Sequence, residues 1–405
     1  MEYCSKVSHY LSPSIAPVVA EQRTNGHPIA HACETNSGER DESNINVVIR
    51  VLDDGLLEAQ SILTTADEAD PPSLKLLIDL FDQSVDLPGV PPELNLHWVQ
   101  TLRRLCVKGG TLPTSCTIER DALEVLGRYP VAGGGYADVW RGKMGSRKVA
   151  IKALRLRYED GERLVRKNFC QEVLIWKRLT HKNIVAFLGI NTTKFALGIV
   201  SEWMENDNVT RYLLETPTAN RRSLLLDVSY GLQYLHSVDL LHGDLKCANI
   251  LVDEEDHARI ADFGLSAIVH DPNLMPSQAS ITNGSVRWMA PELFDPEDVG
   301  LDRALPTKAT DVYSLGVVMW EMFSGRPPFP ECRMDAAVIY RVLSGARPKR
   351  QLEMTAKGLT DSLWALMQQC WNADRSQRPL IKDVINRLSQ EVSTPVSQTA
   401  DIPSS

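Results

Sequence analysis

The hydrophobic positions of this chain change rhythm from one stretch to the next. Residues 1 to about 44 mix Ser, Pro, Asn and charge without periodicity, so disorder is expected there. Between 45 and 120 the spacing becomes helical. Leu74, Leu77, Ile78 and Phe81 form one amphipathic stripe, and Leu94, Trp98, Val99, Leu102 and Leu105 form another, with Gly109-Gly110 in the place of a helix C-cap. From about Ala122 to Gly198 short runs predict strands, interrupted by a helix over about Glu162–Leu179 whose inward stripe is Val165, Phe169, Val173 and Trp176. Beyond about Asn208 the pattern is mostly helical. Embedded in it, Ile250–Val252 and Arg259–Ala261 read as strands joined by the turn Asp253–His257. The polar tail from 392 to 405 is expected to be flexible.

A small β-rich unit followed by a larger helical one implies a cleft between them, and clefts of that kind take small ligands. The candidate chemistry collects around such a cleft. "VAGGGYADVWRG" (Val131–Gly142) is a glycine-rich turn whose backbone amides can approach phosphate oxygens. The returning strand "KVAIK" puts Lys152 under that turn. Glu172 lies on the buried stripe of the next helix, three residues from Phe169 and four from Trp176. A buried carboxylate is costly unless paired, and Lys152 is the economical partner. The hairpin after "HGDLKCAN" (His242–Asn249) returns the chain to its start and brings Asn249 beside Asp262, with Asp244 and Lys246 a few residues upstream. Oxygen ligands and a carboxylate base converging on one point suit magnesium and phosphate.

Composition narrows the field. With 43% hydrophobic residues the chain has material for a real core. Its net charge is −9, nearly all of it contributed before about residue 120, which speaks against nucleic acid as a partner. The eight cysteines form no C-x-x-C pair and are read as reduced thiols. No apolar run approaches the roughly 20 residues that span a bilayer, so no membrane partner is expected. No start resembling a signal peptide is present, and a cytoplasmic location, with the nucleus as a further possibility, is the expectation.

In order and spacing these pieces resemble a eukaryotic protein kinase of the tyrosine-kinase-like group, over residues 125–391. "VAIK" (Val149–Lys152), "HGDLKCAN", "DFG" (Asp262–Gly264) and "APE" (Ala290–Glu292) carry the resemblance, with "DVYSLG" (Asp311–Gly316) and "CWNADRSQRP" (Cys370–Pro379) behind them. It implies an α+β bilobal protein kinase fold: a small β-rich N-lobe with one regulatory helix and a large α-helical C-lobe, here with an N-terminal helical extension. It implies ATP and Mg2+ (or Mn2+) as cofactors and protein hydroxyls as substrates. Asp244 would be the base that takes the hydroxyl proton, Asn249 and Asp262 would hold the metal, and Lys152, paired with Glu172, would orient the phosphates. Ala132, Gly133, Gly134 and Gly135 would cover the phosphates, and Val139, Ala150 and Leu251 would sandwich the adenine. Backbone groups of Glu202 and Met204 would bond its edge, with Ser201 as a small gatekeeper. Glu292 would pair with Arg378 in a structural role. Lys246, two residues after the base, is the serine/threonine pattern.

The chain also departs from that pattern. Gly243 stands where the family usually has an arginine that reads a phosphorylated activation loop, so control by that route is not expected, although Ser277, Ser280, Thr282 and Ser285 remain candidates for modification. Ala132 and Ala137 replace two loop glycines, which implies altered ATP affinity. Asp207 sits where glycine is common. The alternatives are a pseudokinase scaffold, or a dual-specificity or tyrosine kinase. The helices of the extension either pack on the following domain or serve a protein partner.

Overall fold

The computed structural model describes residues 70–85, 92–134, 137–155, 162–264, 267–268 and 285–393. The stretch expected to be disordered, and all but the first two residues of the expected tail, lie outside them.

Two helices open the described chain, α1 (Pro71–Val85) and α2 (Pro92–Gly109). Their predicted stripes face inward: Leu74, Leu77, Ile78, Phe81, Trp98, Leu102 and Leu105 are buried, and Val99 packs against them. Gly110, at φ 60°, turns the chain out of α2. The strands follow as β1 (Glu124–Leu126), β2 (Ala132–Gly133), β3 (Ala137–Met144) and β4 (Arg147–Leu154), and then helix α3 (Glu162–Trp176). β5 (Phe187–Asn191) and β6 (Gly198–Glu202) complete an antiparallel sheet in the order β1-β3-β4-β6-β5, with β2 paired to β3. A parallel bridge joins Thr117 to Ile190 of β5, and the Ile118 amide donates to the Ile190 carbonyl at 2.9 Å.

The helical lobe comprises α4 (Val209–Glu215), α5 (Arg221–Ser237), α6 (Lys308–Ser324), α7 (Asp335–Leu343), α8 (Leu352–Ala356), α9 (Asp361–Cys370) and α10 (Ile381–Ser393). β7 (Leu240–Leu241) pairs with β10 (Ala267–Ile268), and β8 (Ile250–Val252) with β9 (Ala258–Ile260). A β-rich lobe and a helical lobe are thus present as expected.

Element boundaries shift in two places. The hairpin's second strand begins at Ala258, one residue earlier than its hydrophobic pattern implies. The Asp253 carboxylate accepts from the amides of Glu255 and His257, and the Asp253 amide donates to the His257 carbonyl, which closes the turn at His257. α3 ends at Trp176 instead of running to Leu179.

The core ties the extension to both lobes. The buried side chains of α1 and α2 belong to one hydrophobic cluster with Phe169, Cys170, Val173 and Leu174 of α3 and with the interior of the helical lobe. The helices therefore pack on the following domain, the first of the two roles considered for them. The described cysteines, Cys106, Cys116, Cys170, Cys247, Cys332 and Cys370, are free thiols, as expected, and all are buried.

Candidate active site

Strand periodicity aims the first group of residues. Along β4, Val149, Ile151 and Ala153 are buried on one face, while Ala150 and Lys152 are half-buried on the other. Val139 of β3 lies directly opposite Lys152 and so shares its face. Leu251, half-buried on β8, contributes from the helical lobe. Of the three apolar residues expected around an adenine, Val139 and Ala150 thus share the Lys152 face of the sheet, and Leu251 lies half-buried in the helical lobe. Ser201 is buried on β6 between Ala150 and Phe187. Glu202 and Met204 follow it; the Glu202 amide already donates to the Ala186 carbonyl, so a base contact there cannot use that group.

Ala132, Gly133 and Gly134 form and follow β2, whereas Gly135 lies outside the described residues. Arg155 clamps this turn. Its guanidinium pairs with Asp138, Nε to Oδ2 at 2.9 Å, and donates to the Gly134 carbonyl at 3.0 Å. Sequence reading missed this clamp.

The expected ion pair is present and has a third member. Lys152 Nζ lies 2.8 Å from Glu172 Oε1 and 2.7 Å from Asp262 Oδ1. Burial alone would lower the Lys152 pKa, but the Asp262 and Glu172 carboxylates outweigh it and hold the ammonium above the ordinary lysine range. Burial likewise favours a raised Asp262 carboxyl, yet Lys152 overrides that and pulls it down to about 2. At Glu172 burial wins, and its carboxyl is raised.

The catalytic-loop residues converge as the hairpin argument required: the Ala261 amide donates to the Asn249 carbonyl at 2.9 Å, which sets Asn249 beside Asp262. Asp244 Oδ2 accepts from Lys246 Nζ at 2.7 Å and from Asn249 Nδ2 at 3.0 Å. Asn249 Nδ2 also reaches the Asp244 carbonyl at 2.9 Å, so its amide nitrogen faces Asp244 and its oxygen is turned to the other side. Asp244 Oδ1 is buried and has no hydrogen-bond partner among the described residues. A buried acceptor left open is costly, and here it belongs to the residue expected to take a proton.

Asp311 holds the loop from beneath. Its carboxylate accepts from the amides of His242 and Gly243, each at 3.0 Å, and contacts His236 Nε2 at 3.0 Å. Burial would raise this carboxyl, but the His236 contact and the Gly243 amide lower it. Gly243 adopts φ 76°, a left-handed conformation that suits glycine and strains a residue with a Cβ. The substitution noted in the sequence thus coincides with a backbone shape glycine supplies freely. Phe263 packs against His242 with ring centroids 5.7 Å apart and against Trp176 of α3 at 5.5 Å, linking the loop to that helix.

Two further positions resolve differently from the sequence reading. Ser285 is buried and accepts from Lys246 Nζ at 2.8 Å, so it braces the loop and is not open to modification in this arrangement; Ser277, Ser280 and Thr282 lie outside the described residues. Asp207 adopts φ 58°, and its carboxylate accepts from the Asn208 amide at 2.6 Å, a local bond that lets aspartate occupy a place glycine favours. Glu292 and Arg378 pair as expected, through two bonds of 2.6 and 2.8 Å.

The donor set fits a hard divalent cation. Asp262 supplies a carboxylate that stays ionised at any physiological pH, Asn249 an amide oxygen, and Asp244 an open oxygen nearby in the same loop. Among the described residues no helix is long and apolar enough to cross a membrane.

Comparison with known proteins finds relatives over the same part of the chain. The family model for protein tyrosine and serine/threonine kinases matches residues 128–388. The serine/threonine-protein kinase STY46 of Arabidopsis thaliana is 32% identical over 279 residues, covering 67% of this chain and 45% of that protein. The serine/threonine/tyrosine-protein kinase HT1 of the same plant is 30% identical, covering 64% of each chain. Ephrin type-A receptor 5 of Rattus norvegicus is 30% identical, covering 77% of this chain and 30% of the receptor. The chain spans less than two thirds of the length of each of these relatives.

Proposed function

This chain belongs to the family of protein tyrosine and serine/threonine kinases, and on that premise we propose that it transfers the γ-phosphate of Mg-ATP to serine or threonine hydroxyls of proteins. The observation that carries the reading is Asp244. One of its oxygens is fixed by Lys246 and Asn249, while the other is buried and open. In this role Oδ1 accepts the proton of the attacking hydroxyl. Lys246 neutralises charge at the same carboxylate and, through Ser285, ties it to the segment that follows the activation region. Lys152, steadied by Glu172, orients the α- and β-phosphates. Asp262 and Asn249 would hold magnesium, which when bound would supply positive charge to offset that developing on the phosphate. Ala150, Val139 and Leu251 exclude water from the base.

Serine/threonine specificity is supported by Lys246 beside the base and by the printed names of relatives such as STY46. A second reading, dual specificity, draws on the name of HT1, which includes tyrosine. The test is transfer of labelled phosphate from Mg-ATP to the chain itself and to casein, with Asp244→Asn alongside and phosphoamino-acid analysis of the product. Label on serine or threonine that vanishes in the variant supports the proposal, and label on tyrosine moves it to the second reading. A folded, nucleotide-binding protein that transfers nothing would instead be a scaffold.

A further inference from the structure

Lys152 stands between two carboxylates, and this makes the position of α3 a problem in its own right. With Asp262 at 2.7 Å, Lys152 keeps an anionic partner whether or not Glu172 is present. Electrostatics at the cleft therefore does not by itself hold Glu172 in place, and burial works against its charge. On its inner side α3 is held by Trp176, which donates to the Val185 carbonyl at 2.7 Å and packs on Phe187 of β5; a second hold comes from its other side.

That side is occupied by the extension. α2 packs against α3; burial raises the Cys106 thiol of α2, and Cys170 of α3 lies close enough to raise it further. At the C-terminal end of α3 the contact becomes ionic. Asp82 of α1, itself buried, accepts from Lys177 Nζ at 2.5 Å, from Arg178 Nη2 at 3.1 Å and from Ser115 Oγ at 2.5 Å. Lys177 also donates to Ser115 Oγ at 2.8 Å. Arg178 Nη1 bonds back to the Leu174 carbonyl at 2.8 Å, capping the last turn, where a cation also complements the helix dipole. Lys177 continues the helical bonding through its amide to the Val173 carbonyl. It lies five residues beyond Glu172, roughly 7.5 Å along the axis at the usual rise. A packed helix is stiff over that distance, so a shift at Lys177 and Arg178 is a shift at Glu172.

We propose that Asp82 is a positioning residue for phosphoryl transfer: by fixing Lys177 and Arg178 it holds Glu172 against Lys152, so that the N-terminal helices complete the active site in cis. The anchor is made of groups on three separate segments, α1, the turn around Ser115 and the end of α3. Its loss removes the buried carboxylate through which α1 holds both side chains, and the end of α3 shifts away from α1. Trp176, one residue before Lys177, carries the same displacement to Phe263 and so to the catalytic loop.

The proposal rests on the kinase reading for its activity readout, and the test separates the two. The full chain would be compared as wild type, Asp82→Asn, Glu172→Gln and the double variant, measuring transfer from Mg-ATP to casein and, independently, Mg-ATP affinity by calorimetry. Asp82→Asn is expected to lower kcat about tenfold with KM for casein unchanged, and to lower it little further once Glu172 is already glutamine. Lys177→Gln, which opens the anchor from the α3 side, should reproduce that pattern if Asp82→Asn proves too unstable to measure. Equal losses in both backgrounds, a change confined to KM, or no loss would overturn the proposal. If the wild-type chain transfers nothing, the kinase reading fails, and the same cycle read as Mg-ATP affinity still decides this one: non-additive weakening supports it, and additive or absent weakening overturns it.

Discussion

Two buried ion pairs, one in each lobe, share a chemistry and differ in how completely the protein satisfies them. In the helical lobe Arg378 grips Glu292 with both ends of its fork, at 2.6 and 2.8 Å, and donates further to the carbonyls of Asn372 and Ala309. Its side chain is 0% exposed and that of Glu292 2%. At the cleft Lys152, 23% exposed, is a point charge shared between Glu172 and an Asp262 that is 43% exposed. A planar guanidinium with many fixed donors suits a closed contact, and an ammonium suits one that must accept a new partner. The first pair is saturated and can only hold the fold together. The second keeps an open side, as its proposed contact with phosphate requires.

The comparison breaks most visibly if the closed pair is opened. Arg378→Ala leaves Glu292 buried and uncompensated, and about 3–5 kcal/mol of stability should be lost, measured as the shift of the urea midpoint. Glu172→Gln should do the reverse. Its stability should fall by only about 1 kcal/mol, while kcat for phosphate transfer falls roughly 10²-fold through misplacement of Lys152. If the two variants behave alike, the division between a structural and a working pair is wrong.

A sharper division comes from Asp311→Asn. It removes a charge that both His242 and Gly243 amides use, so stability should drop by about 2 kcal/mol and activity should fall with it, read by thermal melting and initial rates on one preparation. Gly243→Arg should cost about 1 kcal/mol from its left-handed backbone without raising activity, which a melting curve and a rate assay would check. The smallest effect concerns acid. The folded Asp262 carboxyl, at about 2, titrates below its ordinary value of 3.8. Its contribution is therefore complete above that ordinary value and is given up as pH falls toward 2. Urea midpoints of wild type and Asp262→Asn should converge over that window and stay apart above it.

Much of the site was legible in the sequence because its chemistry fixes residue types at short range. Asp244, Lys246 and Asn249 lie within one loop, and the hairpin that brings Asn249 to Asp262 follows from two apolar runs and a polar turn. Lys152 and Glu172 could be paired because a carboxylate on a buried stripe demands a cation. What escaped reading depends on partners far along the chain. Asp311 was visible inside "DVYSLG", but the amides it binds are 68 and 69 residues away, and no periodicity announces a backbone contact. Asp82 sits on an amphipathic helix as an ordinary polar residue, and its cations lie 95 and 96 residues downstream. Ser285 stays a candidate for modification in the sequence because nothing local shows that Lys246 will reach it. Asp207 is the converse case, a local bond and a left-handed φ that only the backbone reveals.

The bridge between Thr117 and Ile190 has a consequence for where this protein can be divided. β5 is the last strand of its sheet, and the segment Thr117–Ile118 lies along its outer side. The family match begins at residue 128, and a chain cut there would lose that cover. Ile190 would then present unpaired backbone to solvent, a template on which another molecule's strand can add. The segment is thus a selvage on the sheet, and a unit of this chain with that margin covered begins well before its family resemblance does.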